Sequence, residues 1–480
     1  MPSVDLVIKN AKIWMPGGIV QGGLAVREGK IVAICHDYAL PDADQKIDAQ
    51  GNLIIPGLVD EHVHLGDPYE GPGHENAIQR EDFAAGTMAA ASGGVTTIIE
   101  MPDTVPLVTT LESARTKLEV CKPKAYVDFG MHGGFIAGTD YTREIRQLFE
   151  FGLTGLKTFT CYSIPEWPPC YDGDLYEALK VIHDVGAIAL LHAENDFILS
   201  TSRKKLQSNG RTDIRSHLEW RPPIAEIEAD RRMVFFLEQT GAKGLLVHTS
   251  VPEGVLEVRG AKERGHHVYV ETCPHYLFLT EDDVTRLGPW AKVAPPPRDK
   301  AVVAHMWELL NSGYIDTLGS DHGPYTKEEK LAGVRNIWNA GNGSSTIEGT
   351  LPLMLDAVNK GLTTLDRFIQ VACENPARLF RLYPRKGTLQ VGSDADFVIV
   401  DMKSTYKISN DKTKSKCGWI LYDGMVTQGM AKMTSIRGAI VMEDSEIVGR
   451  QGHGQFVTRE RSLERIGKKR VSTIDGPTSP

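Results

Sequence analysis

Short apolar stretches separated by turns fill both ends of the chain. Residues 4–13 and 31–34 are rich in β-branched and aliphatic side chains, with a Pro-Gly-Gly turn at 16–18. The same pattern returns in residues 392–401 and 434–441. Such runs, bounded by glycine and proline, are typical of β-strands. The pattern therefore predicts a small β domain made from both ends of the chain, with the middle inserted into it.

Between residues 56 and 384 the pattern alternates between apolar strands and amphipathic helices. Helical spacing of apolar residues occurs in residues 111–120, 230–240 and 302–311. The intervening strands are short apolar runs that end in a polar or turn residue, and they cover residues 95–102, 126–130, 156–159, 187–192, 244–248, 268–272 and 315–321. About eight alternations of strand and helix predict an α/β protein with a (β/α)8 barrel. A doubly wound open sheet is the less favoured alternative.

Composition and charge narrow the class of protein. The 480 residues are 41% hydrophobic, enough for a large core, and the net charge of −9 argues against a nucleic-acid partner. The basic patch at residues 468–470 is expected to be a solvated part of the tail. No run approaches the roughly 18 apolar residues of a membrane span. Seven cysteines without Cys-x-x-Cys spacing predict reduced thiols, so we expect a soluble cytoplasmic protein.

Six polar side chains stand where predicted barrel strands end. Side chains two apart in a strand point to the same side, so His62 and His64 can reach one metal ion together. Each of the six has a structural explanation when taken alone: a hydrogen-bonded histidine, a lysine that extends to solvent, or an aspartate in a turn or helix cap. Because the carboxyl ends of barrel strands meet on one face, the six together predict a metal site formed by His62, His64, Lys157, His192, His248 and Asp321.

Lys157 is the unusual member of this set. A protonated ammonium cannot bind a metal ion, but a desolvated lysine near cations has a lowered pKa and a nucleophilic amine. Such an amine can add carbon dioxide and become a carbamate, an anion whose two oxygens suit a bridge between two divalent ions. Four imidazoles, one carboxylate and this bridge would suffice for a two-metal site.

The segments around these positions resemble the cyclic amidohydrolases of the amidohydrolase superfamily, a group of hydantoinases, dihydropyrimidinases, allantoinases and dihydroorotases. The matching motifs include Gly57-Leu58-Val59-Asp60-Glu61-His62-Val63-His64, Gly155-Leu156-Lys157-Thr158-Phe159, Leu191-His192-Ala193-Glu194-Asn195, Val247-His248-Thr249-Ser250, Pro295-Pro296-Pro297-Arg298 and Gly319-Ser320-Asp321-His322. The resemblance implies a TIM barrel with a β-sandwich formed by both termini. We accordingly expect a β-sandwich domain at 1–55 plus 385–450, the barrel at 56–384, and a C-terminal extension at 451–480 that is partly disordered or in a subunit contact.

The resemblance also implies a role for each of the six residues. The implied ligands of one divalent ion are His62, His64 and Asp321, those of the other are His192 and His248, and the bridges are carboxylated Lys157 and a hydroxide. Zinc is the default ion, with manganese or cobalt as alternatives. The hydroxide would attack an amide carbonyl of a cyclic substrate, and Asp321 would carry its proton to the leaving ring nitrogen. Because none of the six is substituted, an enzyme is favoured over a non-catalytic scaffold protein, and a homotetramer or homodimer is expected.

The ring that is opened is less sharply defined. Dihydroorotases have an arginine after the second metal histidine, where this chain has Leu65 and Gly66. Hydantoinases and dihydropyrimidinases have a tyrosine five residues after the lysine, and Tyr162 takes that place as a catalytic donor to the oxyanion, with a packed loop tyrosine as the alternative. Asn342 matches the asparagine whose main chain binds the substrate imide, and Ala294 stands where serine is common. These features favour a 5-substituted hydantoin or a dihydropyrimidine as substrate.

Other features favour an allantoinase instead. The segments that resemble the allantoinase versions are residues 100–103, 273–277 and 416–419. The loops at 66–80 and 163–172 are also unusual, in length or in proline and aromatic content, and pocket selectivity commonly lies on such loops. In the second loop, Trp167 and Tyr171 either form an apolar wall for a substituent on the ring or face solvent or a neighbouring subunit.

Overall fold

The computed structural model of the protein describes residues 3–65 and 77–459. Its strands form three groups along the chain. The first group is β1 (Val4–Met15), β2 (Gly18–Arg27), β3 (Lys30–Cys35), β4 (Ala43–Asp48) and β5 (Leu53–Pro56). The second is β6 (Leu58–Val63), β7 (Val95–Glu100), β8 (Asp128–Met131), β9 (Gly133–Gly134), β10 (Leu156–Phe159), β11 (Ile188–His192), β12 (Lys243–Leu246), β13 (Val268–Thr272) and β14 (Thr317–Leu318). The third is β15 (Phe397–Lys407), β16 (Val426–Ile436), β17 (Ala439–Glu443) and β18 (Glu446–Ile447).

Helices separate and follow the strands of the second group. They are α1 (Ala77–Arg80), α2 (Phe83–Ser92), α3 (Leu111–Cys121), α4 (Tyr141–Phe151), α5 (Asp172–Val185), α6 (Asp196–Ser208), α7 (Arg215–Trp220), α8 (Pro223–Thr240), α9 (Pro252–Glu263), α10 (Pro274–Phe278), α11 (Glu281–Leu287), α12 (Lys300–Asn311), α13 (Lys327–Leu331), α14 (Ile347–Asn359), α15 (Leu365–Ile369) and α16 (Asn375–Leu379). The three predicted helices are confirmed as α3, α8 and α12. Gly186 and Gly241, both left-handed, end α5 and α8 and turn the chain towards the next strand.

The second group of strands closes into a parallel barrel. β9 continues β8 beyond a break at His132, and parallel pairing runs from β6 to β8 and from β9 to β14. The first and last strands meet where Val63 bridges His322 and the His64 N–H donates to the His322 carbonyl over 2.7 Å. The (β/α)8 prediction is confirmed. The open-sheet alternative is wrong, because these contacts join the two edges that an open sheet would leave free.

Side chains along a barrel strand alternate between the interior of the barrel and the surrounding helices. In β11, Ile188 and Leu190 pack in one buried cluster with Phe380, whereas Leu191 belongs to the larger core. His192 continues the inward series of Ile188 and Leu190, because residues two apart share a side of a strand. Apolar side chains therefore fill the amino-terminal end of the interior, and polar side chains collect at the carboxyl end.

Two predicted strands are shorter in the structure than the sequence indicates. The strand expected to run through His248 ends at Leu246, and the strand expected over 315–321 is confined to Thr317–Leu318. Both His248 (φ 42°) and Asp321 (φ 48°) adopt left-handed backbone conformations, which interrupt the regular pairing of a strand. The chain thus leaves each strand before the polar residue, and a sharp turn rather than the strand aims that residue.

The strands of both termini form one nine-stranded sheet within the described residues, which confirms the β-rich domain predicted from the two chain ends. The order is β18-β17-β16-β15-β5-β1-β2-β3, and β4 also pairs with β1. Alternation gives this sheet two buried faces: Ile54 and Phe397 pack in the domain's own cluster, whereas Leu53, Ile55 and Val398 join the core shared with the barrel. The exact domain limits stay a prediction.

A buried ionic cluster lies at the amino-terminal end of the barrel. The Lys386 ammonium contacts the carboxylates of Asp394 (2.9 Å) and Asp396 (2.7 Å) and that of Asp128, the first residue of β8. Arg437 also pairs with Asp128. The cluster therefore links the barrel to the C-terminal strands through paired charges.

The start of the predicted C-terminal extension lies along the barrel. The Phe129 N–H donates to the Gln455 carbonyl, and the Val457 N–H donates to the Phe129 carbonyl. Residues 460–480, which include the predicted solvated patch, lie outside the described residues. No helix of the described chain has the length and hydropathy needed to cross a membrane. All seven cysteines are free thiols, as expected.

Candidate metal centre

Two histidines and one aspartate converge at the carboxyl end of β6. His62 lies near the end of β6, and His64 follows this strand. Asp321 follows β14, next to the point where the chain meets β6 and closes the barrel. The Asp321 Oδ1 atom is 3.3 Å from His62 Nε2 and 3.4 Å from His64 Nε2. One potential ligand atom from each residue lies within 4.8 Å of the other two. This spacing is compatible with three ligands of one ion.

A carboxylate fixes each of these two rings from behind. His62 Nδ1 lies 2.7 Å from Glu271 Oε1, and His64 Nδ1 lies 2.8 Å from Asp103 Oδ1. A ring that donates its Nδ1–H to a carboxylate keeps its lone pair on Nε2 when it is neutral. Both lone pairs then face Asp321, so the arrangement is repulsive unless a proton or a metal ion lies between them.

The electrostatics of this group favour a positive charge. Burial lowers the pKa of His64, but Asp103 and Asp321 outweigh it and raise the pKa to about 10. Burial raises the pKa of Asp321, but His62 and His64 outweigh it and hold that pKa well below its usual range. The site therefore holds an ionised carboxylate and strongly attracts a cation.

A second pair of histidines lies across the barrel mouth. His192 ends β11, and its Nδ1 is 2.9 Å from Nε2 of His248. The other nitrogen of His192, Nε2, lies 2.8 Å from Glu194 Oε2, and Glu194 is itself paired with buried Arg221. Burial lowers the pKa of His192 and lowers that of His248 well below its usual range. Neutral imidazoles are the form that binds metals.

Lys157 lines the same cavity as both histidine groups, and its Nζ atom has no hydrogen-bond partner among the described residues. Its Nζ atom is completely buried and lies 5.0 Å from the centroid of the Phe159 ring. Burial lowers the pKa of Lys157, which favours the neutral, nucleophilic amine. A buried and unpartnered nitrogen is costly as it stands. The unpartnered nitrogen of Lys157 and the lone pairs of His62 and His64 form a donor set that fits divalent metal ions.

The six predicted ligands thus come together, and five of them line the same cavity. This cavity of about 330 Å³ has His64, Lys157, His192, His248 and Asp321 in its lining. His62 lies beneath it, fully buried. Apolar side chains form part of the remaining wall: Val105, Phe159, Ile164, Pro165, Pro324 and Tyr325. The space is large enough for a small ring with a substituent.

Not all of the predicted substrate-binding residues lie at the cavity. Ala294 and Asn342 line the cavity, and the buried Asn342 Oδ1 atom has no hydrogen-bond partner in the described part of the chain. Tyr162 is 47% exposed and does not line the cavity, although residues 163–166, which follow it, do. The Tyr162 N–H is held by Asp196. The structure therefore places two of the three at the cavity and the third beside it.

The two aromatic residues of the 163–172 loop have separate positions. Trp167 is fully buried, and its ring packs edge-on against Phe159 with centroids 5.6 Å apart. It is neither a cavity wall nor a solvent-facing residue. Tyr171 is 44% exposed, and its hydroxyl donates to Asp196. The other unusual loop, at 66–80, lies outside the described residues for 66–76.

Three carboxylates that hold the histidines were not among the predicted site residues. Glu271 has the signal used for the others, a polar residue near the end of an apolar strand. Glu194 follows His192 by two residues, which gives it the same side of the chain. Asp103 has no such signal, because it lies in the loop after β7 and reaches His64 only in the folded barrel. Sequence patterns locate ligands better than the groups that orient them.

A closed (β/α)8 barrel with histidines, a lysine and an aspartate at the carboxyl ends of its strands defines a barrel enzyme with a candidate metal centre. Residues 53–441 match the model of the amidohydrolase family. The chain belongs to this family, and the resemblance given by the motifs is confirmed.

Individual relatives are similar over nearly the whole chain. An L-hydantoinase from Paenarthrobacter aurescens is 39% identical over 457 residues, with 95% of this chain and 98% of that protein covered. An allantoinase from Deinococcus radiodurans is 34% identical, with 93% and 97% covered. A solved structure described as L-hydantoinase (dihydropyrimidinase) from Arthrobacter aurescens has a TM-score of 0.91 and 38% identity, with 95% of this chain and 100% of that chain covered.

Proposed function

We propose that the protein is a metal-dependent hydrolase that opens a 5-substituted hydantoin or a dihydropyrimidine at a ring amide bond. The coarser statement rests on the family and the relatives: the protein is a hydrolase that acts on C–N bonds of cyclic amides. The observation that carries the finer proposal is the convergence of His62, His64 and Asp321 beside the unpartnered amine of Lys157 at the cavity.

The proposed ligands form two groups and one bridge: His62, His64 and Asp321; His192 and His248; and carboxylated Lys157 between them. Zinc is the default for these ligands, and manganese or cobalt also suits them. When bound, the two ions supply hydroxide at neutral pH and polarise the substrate carbonyl. The carboxylates of Glu271, Asp103 and Glu194 fix the ring orientations that this requires.

Asp321 is the proposed acid–base residue. Its pKa lies well below the usual range, so its carboxylate is ionised at neutral pH and can accept a proton from the attacking nucleophile. The side chain is 15% exposed, on the side of the cavity. It can therefore pass this proton to the ring nitrogen as the C–N bond breaks. No covalent intermediate with the enzyme is needed.

Three residues are proposed to bind and polarise the ring. The main chain at Ala294 and Asn342 binds the imide, a role supported by the presence of both residues in the cavity lining. Tyr162 donates to the developing oxyanion. Because Tyr162 is half-exposed, this role requires the loop that begins at Tyr162 to bring the hydroxyl inwards when substrate binds.

A parallel assay with 5-substituted hydantoins, dihydrouracil and allantoin tests the substrate class. We expect opening of a hydantoin or of dihydrouracil by the metal-loaded protein. Turnover of allantoin alone would replace this proposal with the second candidate, an allantoinase, which the allantoinase relative and the segments at 100–103 and 273–277 favour. Fewer than about one tightly bound divalent ion per chain, after purification without chelator, would favour a non-catalytic scaffold protein.

We further infer that the protein forms a homotetramer or homodimer and works in the cytoplasm. Free thiols at all seven cysteines support the second statement, since disulfides are common in oxidising compartments. Light scattering of the purified protein measures the first. A monomer at micromolar concentration would contradict it.

A further inference from the structure

Two lysines are buried beside the cavity without any carboxylate among their described hydrogen-bond partners. Lys330 of α13 is completely buried, and its Nζ donates to the carbonyls of Gly341 (3.0 Å), Gly343 (2.8 Å) and Lys292 (3.3 Å). Burial lowers the pKa of Lys330 well below its usual value, and the hydrogen-bond donors of its Nζ are directed at three main-chain carbonyls. The face of Trp419 lies 5.6 Å from the same Nζ. Lys330 is thus enclosed by backbone oxygens and one indole.

Lys292 holds the other end of the same stretch of chain. Its Nζ donates to the carbonyls of Ile337 (2.8 Å) and Ala340 (2.7 Å). We call residues 337–343 the cavity segment, because Asn342 and Gly343 in it line the cavity. Four carbonyls of the cavity segment therefore accept hydrogen bonds from the Nζ atoms of buried lysines. The carbonyl of Lys292, which lies two residues before Ala294, also accepts a hydrogen bond from Nζ of Lys330.

This arrangement fixes the direction of the Asn342 peptide group. In a trans peptide, the carbonyl of one residue and the N–H of the next point in opposite directions. The Gly341 carbonyl faces Lys330, so the Asn342 N–H points away from Lys330. The main chain of Asn342 forms a hydrogen bond with the hydroxyl of Tyr325, a residue of the cavity wall. Any side chain at Gly341 would come within 2.2 Å of the Tyr325 ring. The cavity segment is therefore held between two lysines and one tyrosine.

We propose that Lys330 and Lys292 are positioning residues that set the substrate affinity of the cavity. The Nζ atom of Lys330 joins the two main-chain stretches that contain Ala294 and Asn342, and so fixes the distance between them. The inference rests on the proposed function, in which these two stretches bind the imide of the ring. None of the described contacts of either lysine involves a candidate ligand, so the expected effect is on binding and not on the chemical step.

A lysine with a purely structural role has a different environment in this protein. Lys386, equally buried, is surrounded by three carboxylates at the far end of the barrel. Its charge is paired, and its removal should not move any cavity residue. Lys330 has no such counter-charge among its described contacts, and what it holds instead is the backbone at the cavity. Lys386 is therefore the matched control for a buried lysine.

The test compares Lys330→Met, Lys292→Met and Lys386→Met in the metal-loaded full chain. For the first two we expect KM to rise by about tenfold to 100-fold with kcat within about threefold of the unaltered enzyme, because binding common to ground and transition states is lost. Metal content should stay at the value of the unaltered enzyme. Lys386→Met should lower the melting temperature while KM stays unchanged. If Lys330→Met does not fold, the inference is tested with Lys292→Met alone.

Each outcome has a defined meaning. An unchanged KM in a folded Lys330→Met or Lys292→Met variant overturns the inference while the proposed function stands. An equal loss of kcat and kcat/KM, or a loss of bound metal, also overturns it, because the lysines would then act on the metal centre. If the unaltered enzyme opens only allantoin, the same KM comparison is made with allantoin. If it opens none of the three ring classes, the proposed function and this inference fail together.

Discussion

The two ends of the barrel contain the same residue type in opposite environments. At the carboxyl end, Lys157 is buried, no described residue forms a hydrogen bond with its Nζ atom, and burial lowers its pKa. At the amino-terminal end, Lys386 is equally buried, but Asp396, Asp128 and Asp394 outweigh the effect of burial and raise its pKa above the usual value. The difference is one of counter-charge, because burial is the same in both.

Spacing of ligand atoms alone would not separate the two ends. Asp128, Asp394 and Asp396 also place three carboxylate oxygens within 4.8 Å of one another, as a cation site requires. That group already contains the Lys386 ammonium, and Arg437 pairs with Asp128. Its negative charge is neutralised by the chain itself. Among the described residues, the ion-pair partners of Asp321 are His62 and His64, whose protons a metal ion can replace. The Lys386 ammonium cannot be exchanged in this way, and that difference distinguishes a binding site from a structural ion-pair network.

Removal of Lys157 should have the largest effect on activity. Lys157→Ala deletes the proposed bridge, so we expect turnover to fall by about 10³-fold or more, a loss of several kcal/mol in transition-state stabilisation. The variant should stay folded, because Nζ makes no hydrogen bond to the residues that the structure describes. Steady-state assays with and without a short-chain carboxylic acid and added metal measure both the loss and its partial rescue. Full activity in the variant would refute the bridging role.

Removal of Lys386 should reduce the stability of the protein and leave its activity unchanged. Lys386→Met leaves three buried carboxylates without their shared cation, which should destabilise the protein by about 3–5 kcal/mol. Chemical denaturation measures this loss, and kcat/KM of the folded fraction should match the unaltered enzyme. A large loss of activity at full stability would contradict the assignment of this cluster to structure. The two lysine variants together separate chemistry from folding.

The carboxylates behind the histidines should have an intermediate effect. Glu271→Gln keeps the shape of the residue that holds His62 Nδ1 but removes its charge, so metal affinity should fall by about tenfold to 100-fold. Competition with a metal-binding dye measures this affinity. Glu238→Gln, which alters a surface pair with Arg264, is the control and should change nothing. Equal affinities for both variants would show that Glu271 does not tune the centre.

The sequence predicts the strand ends well and the loops poorly, for a physical reason. Alternation along Ile188, Leu190 and His192 tells which side of a strand a residue faces, and a barrel brings such residues to one mouth. The path of a loop depends on contacts far along the chain. Trp167 is buried against Phe159, a contact that composition does not encode.

The same limit applies to the groups behind the ligands. Asp103 meets His64 from a different loop, and the lysines that hold the cavity segment bind carbonyls rather than side chains. No periodic pattern records a contact with a main-chain oxygen. Motifs therefore gave the candidate ligands, whereas their orientation and the shape of the cavity required the three-dimensional structure.

Substitution of Tyr162 should have the smallest effect on activity. It tests whether this residue takes part in the chemistry at the carboxyl end of the barrel. If its hydroxyl reaches the oxyanion in the closed state, Tyr162→Phe should lower kcat by about tenfold, the value of one good hydrogen bond, with little change in KM. Tyr171→Phe is the matched control, because Tyr171 is also half-exposed and its hydroxyl contacts Asp196. That variant should keep its kcat. Equal kcat values for both variants would assign Tyr162 to the packed loop, and the chemistry of the carboxyl end would then rest on the candidate ligands and Asp321 alone.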